Sequence, residues 1–324
     1  MEFPRVTVVV LNWNRKEDTC ECLDSLFESA YPSYNIVVVD NGSTDGSVDL
    51  LRRRYASAAL LALETNVGFA AGNNRGIEVA LRQGAEVVFL LNNDTTVAPD
   101  CLMNLARAAR ELPKDSVLGP KILYYDRPET VWHFGSRWDQ KALELTAVAR
   151  NEPSERWAQR LRVDHIIGCA MWIPRRALEK VGMFDERFFL NYEETDWCFR
   201  AARAGIPLFV IPDATVWHKI SSSFSSSAQM VYFLERNRLL WIEKNFSGLQ
   251  RWRLVARKEI PPKVKLLARL LRRCLAYGLF FLARRRSKLE YYGRRVRLNY
   301  AAVLGWCHYL IRRFGDCPAH LLKS

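Results

Sequence analysis

The chain has 324 residues, 49% of them hydrophobic, and a formal charge of +13, enough for one large domain, or one domain with an appendage, around a real core. The charge is uneven: residues 251–324 hold 19 Lys+Arg against 3 Asp+Glu, a local +16 that leaves the first 250 residues at −3, so the basic balance belongs to the tail, whose candidate partners are anionic lipid and nucleic acid. The eight cysteines (20, 22, 101, 169, 198, 274, 307 and 317) form no CxxC pair, and Cys20 and Cys22 stand too close for zinc spacing; inert thiols in a reducing compartment are expected.

A strand begins almost at once in MEFPRVTVVVLNW, so no secretory signal is expected. The patterns NGS at 41, NDT at 93 and NFS at 245 carry no glycosylation meaning in a cytoplasmic chain. RVTVVVLNW reads as a buried strand, with β-branched residues in succession. Residues 16–30 have helical spacing at Cys20, Leu23, Leu26, Phe27 and Ala30. NIVVVDNGS is a second buried strand ending in a turn. TDGSVDLLRRRY opens a helix with Ser43, Thr44 or Asp45 as its cap. AALLALET is a third strand, and GFAAGNNRGIEVALRQG is a helix stopped at Gly84. AEVVFLLNND is a fourth strand, and PDCLMNLARAARELP is a helix with Pro99 near its first turn. Residues 117–225 are less regular, with strand-like HIIGCAMWIP and PLFVIPDATVWH and a helix from about 193 to 204. From 230 the chain reads as helical. Its apolar runs, Cys274–Ala283 and Ala301–Ile311, are half the length of about 20 residues that a spanning helix needs. Arg272, Arg273, Arg284, Arg285 and Arg286 flank one run and Arg312 and Arg313 end the other. An apolar face with an Arg-rich flank suits a helix lying in a membrane interface; the plainer reading is an amphipathic helix packed on its own protein or on a partner.

Four strand–helix units in a row imply a mostly parallel sheet covered on both faces. Ligands of such sheets bind at the carboxyl ends of the strands. Polar clusters fall at all four ends: Asn12 and Asn14, Asp40 to Asp45, Asn66 to Gly68, and Asn92 to Asp94. One polar strand end is most often a turn, whereas four in register argue for a site. No GxSxG, HExxH or GxxxxGK[ST] pattern occurs. A site that binds phosphate through a divalent ion needs only one or two carboxylates, because Mg²⁺ keeps waters and takes phosphate oxygens. Asp40 can accept hydrogen bonds from a ribose or a base edge.

VTVVVLNWNRKEDTCECLDSLF, IVVVDNGSTDGS, NVGFAAGNNRG, LLNNDTTV, GMFDERFFLNYEETDWCFRAARAG and VIPDATVWHKISSS together resemble a family 2 glycosyltransferase, most closely its rhamnosyltransferase-like branch. The motifs stand in the family's order over about residues 5–240. The resemblance implies an α/β class, the Rossmann-like nucleotide-diphosphosugar transferase fold. It implies a catalytic domain over 1–230, with a nucleotide-binding half to about 115 and an acceptor half from 116, followed by a basic amphipathic helical region over 231–324. It also implies inverting, metal-dependent sugar transfer with Mg²⁺ or Mn²⁺ as cofactor. Carried over by position, Asn12, Asn14, Asp40, Asn41 and Asp45 line the nucleoside pocket. Asn66, Gly68 and Asn73 form a second nucleotide-side motif, with Asn92 and Asn93 also on the donor side. Asp94 matches the last acid of a metal motif whose first acid is replaced here by Asn92. His218 approaches the metal or the diphosphate, and Lys219 with the serines at 221–223 touches phosphate or forms a lid. Gly168, Cys169 and Trp172 resemble an acceptor-side segment. In YEETDW the base position, usually Asp, falls on Glu194, flanked by Glu193 and Asp196. Three converging acids raise one another's pKa; the alternative is that they only complement a helix dipole. Trp138, Trp157 and Trp197 are core residues or sugar-stacking platforms.

The reading that follows is a single displacement. Glu194 deprotonates an acceptor hydroxyl, which attacks the anomeric carbon opposite a leaving nucleoside diphosphate. The basic tail holds the enzyme on the inner face of the membrane, near a glycan or lipid-linked acceptor, and no nucleic-acid partner is expected. Two rivals are a nucleotidyltransferase, whose Gly-rich N-terminal signature LNWNRKEDT does not resemble, and a catalytically degenerate membrane or nucleic-acid binder, which the acids at 94 and 194 disfavour.

Overall fold

The valine-rich run Val6–Asn12 forms β1, and the elements α1 (Lys16–Phe27), β2 (Tyr34–Asp40), α2 (Ser47–Arg54), β3 (Ala59–Ala62), α3 (Phe69–Arg82) and β4 (Val87–Asn92) follow in strict alternation. This is a computed structural model, and it describes residues 3–220, 227–282 and 286–321. The serines at 221–223 lie outside the described residues, as do Arg284 and Arg285. Two units are present. One comprises the described residues up to Glu186 together with Glu193–Ile220; the other comprises Arg187–Tyr192 together with the described residues after 226.

In the first unit β1 pairs in parallel with β2 and with β4, and β2 with β3. Successive side chains of β1 enter opposite faces: Val8 and Val10 join one core, Val9 the other. That is why the strand reads as a continuous apolar run. The chain continues through β5 (Thr95–Val97), α4 (Cys101–Arg110), β6 (Val117–Tyr124), β7 (Val131–His133), β8 (Ser136–Asp139), β9 (Glu144–Ala147), β10 (Leu161–Val163), β11 (Ala170–Pro174), α5 (Arg175–Val181), α6 (Glu193–Arg203) and β12 (Leu208–His218). The sheet order is β10-β12-β6-β11-β4-β1-β2-β3. β11 runs antiparallel to β4 and β6, and β12 parallel to β6.

Three local expectations are corrected. The position capping α2 is Gly46, at φ 85°, not a side chain before it, although Asp45 Oδ1 still accepts from Ser47 N at 3.0 Å. Of HIIGCAMWIP only Ala170–Pro174 is strand. VLGPKILY, which the sequence left irregular, is β6 in the middle of the sheet. Pro120 there has no N–H to give the ladder, and the register of β12 slips between Ile211 and Thr215, just past Ile211, the partner of Pro120.

Helix α3 lies close on the sheet because it carries glycine where it crosses. A Cβ on Gly76 would stand 2.2 Å from Val9 Cγ1, and one on Gly72 2.6 Å from Leu11 Cδ1.

In the second unit, α7 (Ala228–Asn245) starts at Ser227, whose hydroxyl accepts from Met230 N at 3.1 Å. Helices α8 (Gly248–Leu254), α9 (Ile260–Leu282) and α10 (Arg286–Leu310) follow. α10 touches α7 through Gly305, where a Cβ would be 2.4 Å from Tyr232 O. Segment 187–192 carries three non-glycine residues in left-handed conformation: Phe189, Asn191 and Tyr192 at φ 64°, 68° and 75°. Two buried side chains of α7 hold it. Asn237 Nδ2 donates to the carbonyls of Phe188, Leu190 and Asn191 at 2.7, 2.8 and 2.8 Å. Arg236 Nη2 donates to Phe188 O at 2.9 Å, and Nε to Asn237 Oδ1 at 2.9 Å. No described helix is long and apolar enough to cross a membrane.

Gly76→Ala should destabilise the protein by about 1–2 kcal/mol net, because a clash with a stiff buried valine outweighs the gain in helix propensity of about 1 kcal/mol. The urea midpoint reads this; a midpoint at or above wild type would show that α3 backs off without cost.

Candidate active site

The parallel register sets the donor side. Asn12 lies opposite Asp40, and Leu11 opposite Asn92, so three polar clusters meet along one edge. Asp40 has no exposed surface. Its Oδ2 accepts from Asn12 Nδ2 at 2.7 Å and its Oδ1 from Ser43 N at 2.9 Å. Asn12 Oδ1 takes the Thr19 hydroxyl at 2.7 Å and Asn93 Nδ2 at 3.2 Å. Asn14 accepts from Thr44 N at 2.7 Å, and Asp45 Oδ2 from Lys16 N at 3.3 Å. Next to Asp40, Asn41 Nδ2 donates to Asn66 Oδ1 at 2.9 Å and to Gly68 O at 3.2 Å. The expected donor residues are therefore together, bonded mainly to one another, and they fix the loops at the strand ends. Asn73 is the exception: it is buried, and its amide turns back to Phe69 O of its own helix at 2.9 Å.

Pairing of Thr95 with His218 joins β5 to β12 and brings Asp94 Oδ1 to 3.1 Å from His218 Nε2. His218 Nδ1 is buried without a partner. One carboxylate and one imidazole are donors that a divalent cation can use; among the described residues no third acid, His or Cys joins them. Asn92 donates its backbone N–H to Cys169 O at 2.8 Å. The Lys219 ammonium bridges Asp18, at 3.0 Å, and Glu21.

On the acceptor side, α6 presents its acids differently. Asp196 is fully buried and paired with Arg200 at 2.9 Å, and Arg200 also donates to the carbonyls of Val181 and Met183 at 2.6 and 2.7 Å. Asp196 is thus a structural ion pair, not an acceptor contact. Trp172 is likewise removed from the acceptor expectation, because its ring has no exposed surface and packs by Phe89 at 6.5 Å. Trp197 is buried too, its Nε1 donating to Gly182 O at 2.7 Å. The Cys169 thiol is buried and its pKa pushed well up by that burial. Glu193 is buried, and burial, then the neighbouring Glu194 carboxylate, push its pKa well up. Glu194 keeps 14% of its side chain exposed. Gly168 joins the two sides: a Cβ there would lie 3.4 Å from Phe69 Cε1 and 3.5 Å from Glu194 Cβ.

A model of glycosyl transferase family 2 matches residues 7–182, more than half of the chain. The chain belongs to this family. Among curated relatives of this family 2 enzyme is the N-acetylglucosaminyl-diphospho-decaprenol L-rhamnosyltransferase of Mycobacterium tuberculosis, 28% identical over 66% of this chain and 76% of that protein. Another is the low-salt glycan biosynthesis hexosyltransferase Agl10 of Haloferax volcanii, 26% identical over 75% and 76%. The dTDP-rhamnosyl transferase RfbF of Shigella flexneri is 23% identical over 83% and 86%. Among solved structures, the mannosyltransferase PcManGT of Pyrobaculum calidifontis, in complex with GDP-Man and Mn²⁺, superposes with a TM-score of 0.57 at 18% identity, covering 97% of this chain and 89% of that one. That likeness shows the shared nucleotide-diphosphosugar transferase fold.

Two residues beside the candidate site carry no mark in the sequence. His165 lies beside Glu194 and Thr195. Asn74 ties α3 to the segment after α5, donating to Phe184 O at 3.0 Å and accepting from Phe184 N at 3.1 Å. Neither stands at a spacing that marks it; only the folded chain shows their neighbours.

Glu193 gives the enzyme a signed pH dependence. Its folded pKa lies above the ordinary 4.5, so above pH about 4.5 the folded state holds a proton that the unfolded state has lost, and stability falls as pH rises. Glu193→Gln should remove that slope, with the variant more stable than wild type at pH 7 and equal to it below pH about 4. Urea titrations across pH test this; parallel profiles would disprove it.

Proposed function

We propose that the chain is an inverting glycosyltransferase that moves a hexosyl or deoxyhexosyl group, of the rhamnose kind, from a nucleoside-diphosphate donor to a hydroxyl of a lipid-linked glycan. The observation that supports this reading is at Gly168, where an added Cβ would meet both Phe69, at the start of α3, and Glu194, the one partly exposed acid of α6. The names of the curated relatives support the choice of sugar and acceptor class.

In this reading the loops organised by Asp40, Asn12 and Asn41 hold the nucleoside. Asp94 and His218 would hold a divalent cation, which would supply counter-charge for a leaving diphosphate. Glu194 takes the proton of the acceptor hydroxyl. The acceptor oxygen then bonds to the anomeric carbon from the face opposite the leaving group, and the bond to the diphosphate oxygen breaks with its electron pair.

Glu194→Gln should lower transfer by about 10²- to 10⁴-fold while donor binding survives. The check is nucleoside-diphosphate release from a panel of dTDP-, UDP- and GDP-sugars, with Mn²⁺, with Mg²⁺ and with chelator. Normal turnover by Glu194→Gln would end the base assignment, and release unaffected by chelator would end the metal assignment.

The tail reading is peripheral contact with the cytoplasmic leaflet. On α9 the residues Ile260, Val264, Leu267, Leu271 and Leu275 recur at helical spacing, with Leu271 68% and Leu275 71% exposed, while Lys265, Arg269 and Arg272 lie round the opposite side. An outward apolar stripe with a basic back suits an interface rich in anionic lipid. The free cysteines agree with a reducing compartment. Leu271→Glu with Leu275→Glu should abolish co-flotation with phosphatidylglycerol vesicles and leave soluble-acceptor transfer intact. Flotation equal to wild type would overturn the contact.

A further inference from the structure

His165 has no task in the reaction above, yet it is an imidazole that reaches Glu194. Its Nε2 lies 3.7 Å from Glu194 Oε1 and 3.3 Å from Thr195 Oγ1. Its Nδ1 is buried with no partner. A proton on Nε2 therefore has Thr195 Oγ1 within hydrogen-bond reach and Glu194 Oε1 just beyond it, and a proton on Nδ1 has no acceptor. That difference favours a proton on Nε2.

The ring is held in place from behind. Ser136 N donates to His165 O at 3.0 Å, and His165 N to Ser136 O at 3.2 Å. His133 stands edge-on to the ring, centroids 5.9 Å apart at 87°. Burial, with His165 and Arg150 adding to it, pushes the His133 pKa down to about 3, so His133 backs the ring as a neutral group. On its other side Glu194 packs against Gly168, where a Cβ would lie 3.6 Å from Glu194 Cγ. The second carboxyl oxygen, Oε2, is buried and has no partner.

We propose that His165 is a positioning residue for the base: its Nε2–H, with Thr195 Oγ1 at 3.3 Å as its other acceptor, engages Glu194 Oε1 and so fixes the plane of the carboxylate that takes the acceptor proton. The inference rests on Glu194 being the base. The proton balance of the transfer is unchanged. The hydroxyl proton goes to Glu194, the electron pair of the broken donor bond leaves with the diphosphate, and His165 keeps its own proton throughout. A separation of 3.7 Å is longer than a hydrogen bond, and contacts of this kind tighten when substrate fills the site.

The test uses the full chain with His165→Ala, His165→Phe, His165→Gln and Glu194→Gln, and the nucleotide sugar of the panel above that gives the fastest diphosphate release. His165→Ala and His165→Phe should lower kcat by about 10- to 100-fold with donor KM unchanged. His165→Gln should recover much of that loss, because its amide N–H replaces Nε2–H. His165→Ala added to Glu194→Gln should cost nothing further, since the two act as a unit. Thermal melts compare the folds; Phe keeps the bulk and Gln keeps the donor. If His165→Phe matches wild type, or His165→Gln is no better than His165→Phe, the residue only packs and the proposal is overturned. If Glu194→Gln is inactive while His165→Ala is unimpaired, this inference alone fails. If Glu194→Gln turns over normally, the base reading itself fails.

Discussion

A carboxylate with no exposed surface must be satisfied by donors within the protein, and Asp40 imposes that demand at the end of β2. Asn12 and the Ser43 amide meet it. Asn12 can do so only because β1 and β2 run parallel in a register that sets the two residues side by side. Asn12 in turn gathers Thr19 from α1 and Asn93 from beyond β4. Three loops are thereby fixed by bonds within the protein, which would lower the ordering cost of binding any ligand there. A one-residue slip between β1 and β2 would turn one of the two side chains to the other face of the sheet and leave Asp40 without its buried donor.

The acid run of α6 shows how little a string of like residues says about role. Adjacent helical positions are about 100° apart, so neighbours meet different surroundings. Glu193 is turned inward, where burial favours its neutral form. Asp196 is equally buried but meets Arg200 one turn on, and the pair ties α6 to the carbonyls that follow α5. Glu194, between them, keeps contact with solvent and with an imidazole. Three acids within four residues thus divide into a neutral core group, a structural ion pair and a reactive candidate.

The first 110 residues were legible because each strand there is buried on both faces and each helix is amphipathic, so local pattern and final environment agree. The polar strand ends were legible because four of them fall in register, where any one alone would read as a turn. β6 was not legible, because Gly119 and Pro120 look like a loop, and what allows them in a central strand is an irregularity in β12, some ninety residues later. Trp172 was misplaced because an indole reads equally well as platform or core, and burial by Phe89 decides it. Asn73 and Asp196 were selected by position in a motif, whereas their amide and carboxylate are taken by neighbours one helical turn away. His165 had no sequence signal, since its significance lies in what the fold brings to Nε2.

The left-handed segment 187–192 has a consequence for how the chain can be divided. It belongs with α7, whose Arg236 and Asn237 hold its carbonyls, yet it runs directly into Glu193 and Glu194. Left-handed backbone at Phe189, Asn191 and Tyr192 costs on the order of 1 kcal/mol per residue and persists only while something holds it. A protein truncated before α7 would keep every described strand of the sheet and lose the Arg236 and Asn237 donors that hold this backbone, so its own left-handed residues would be free to relax.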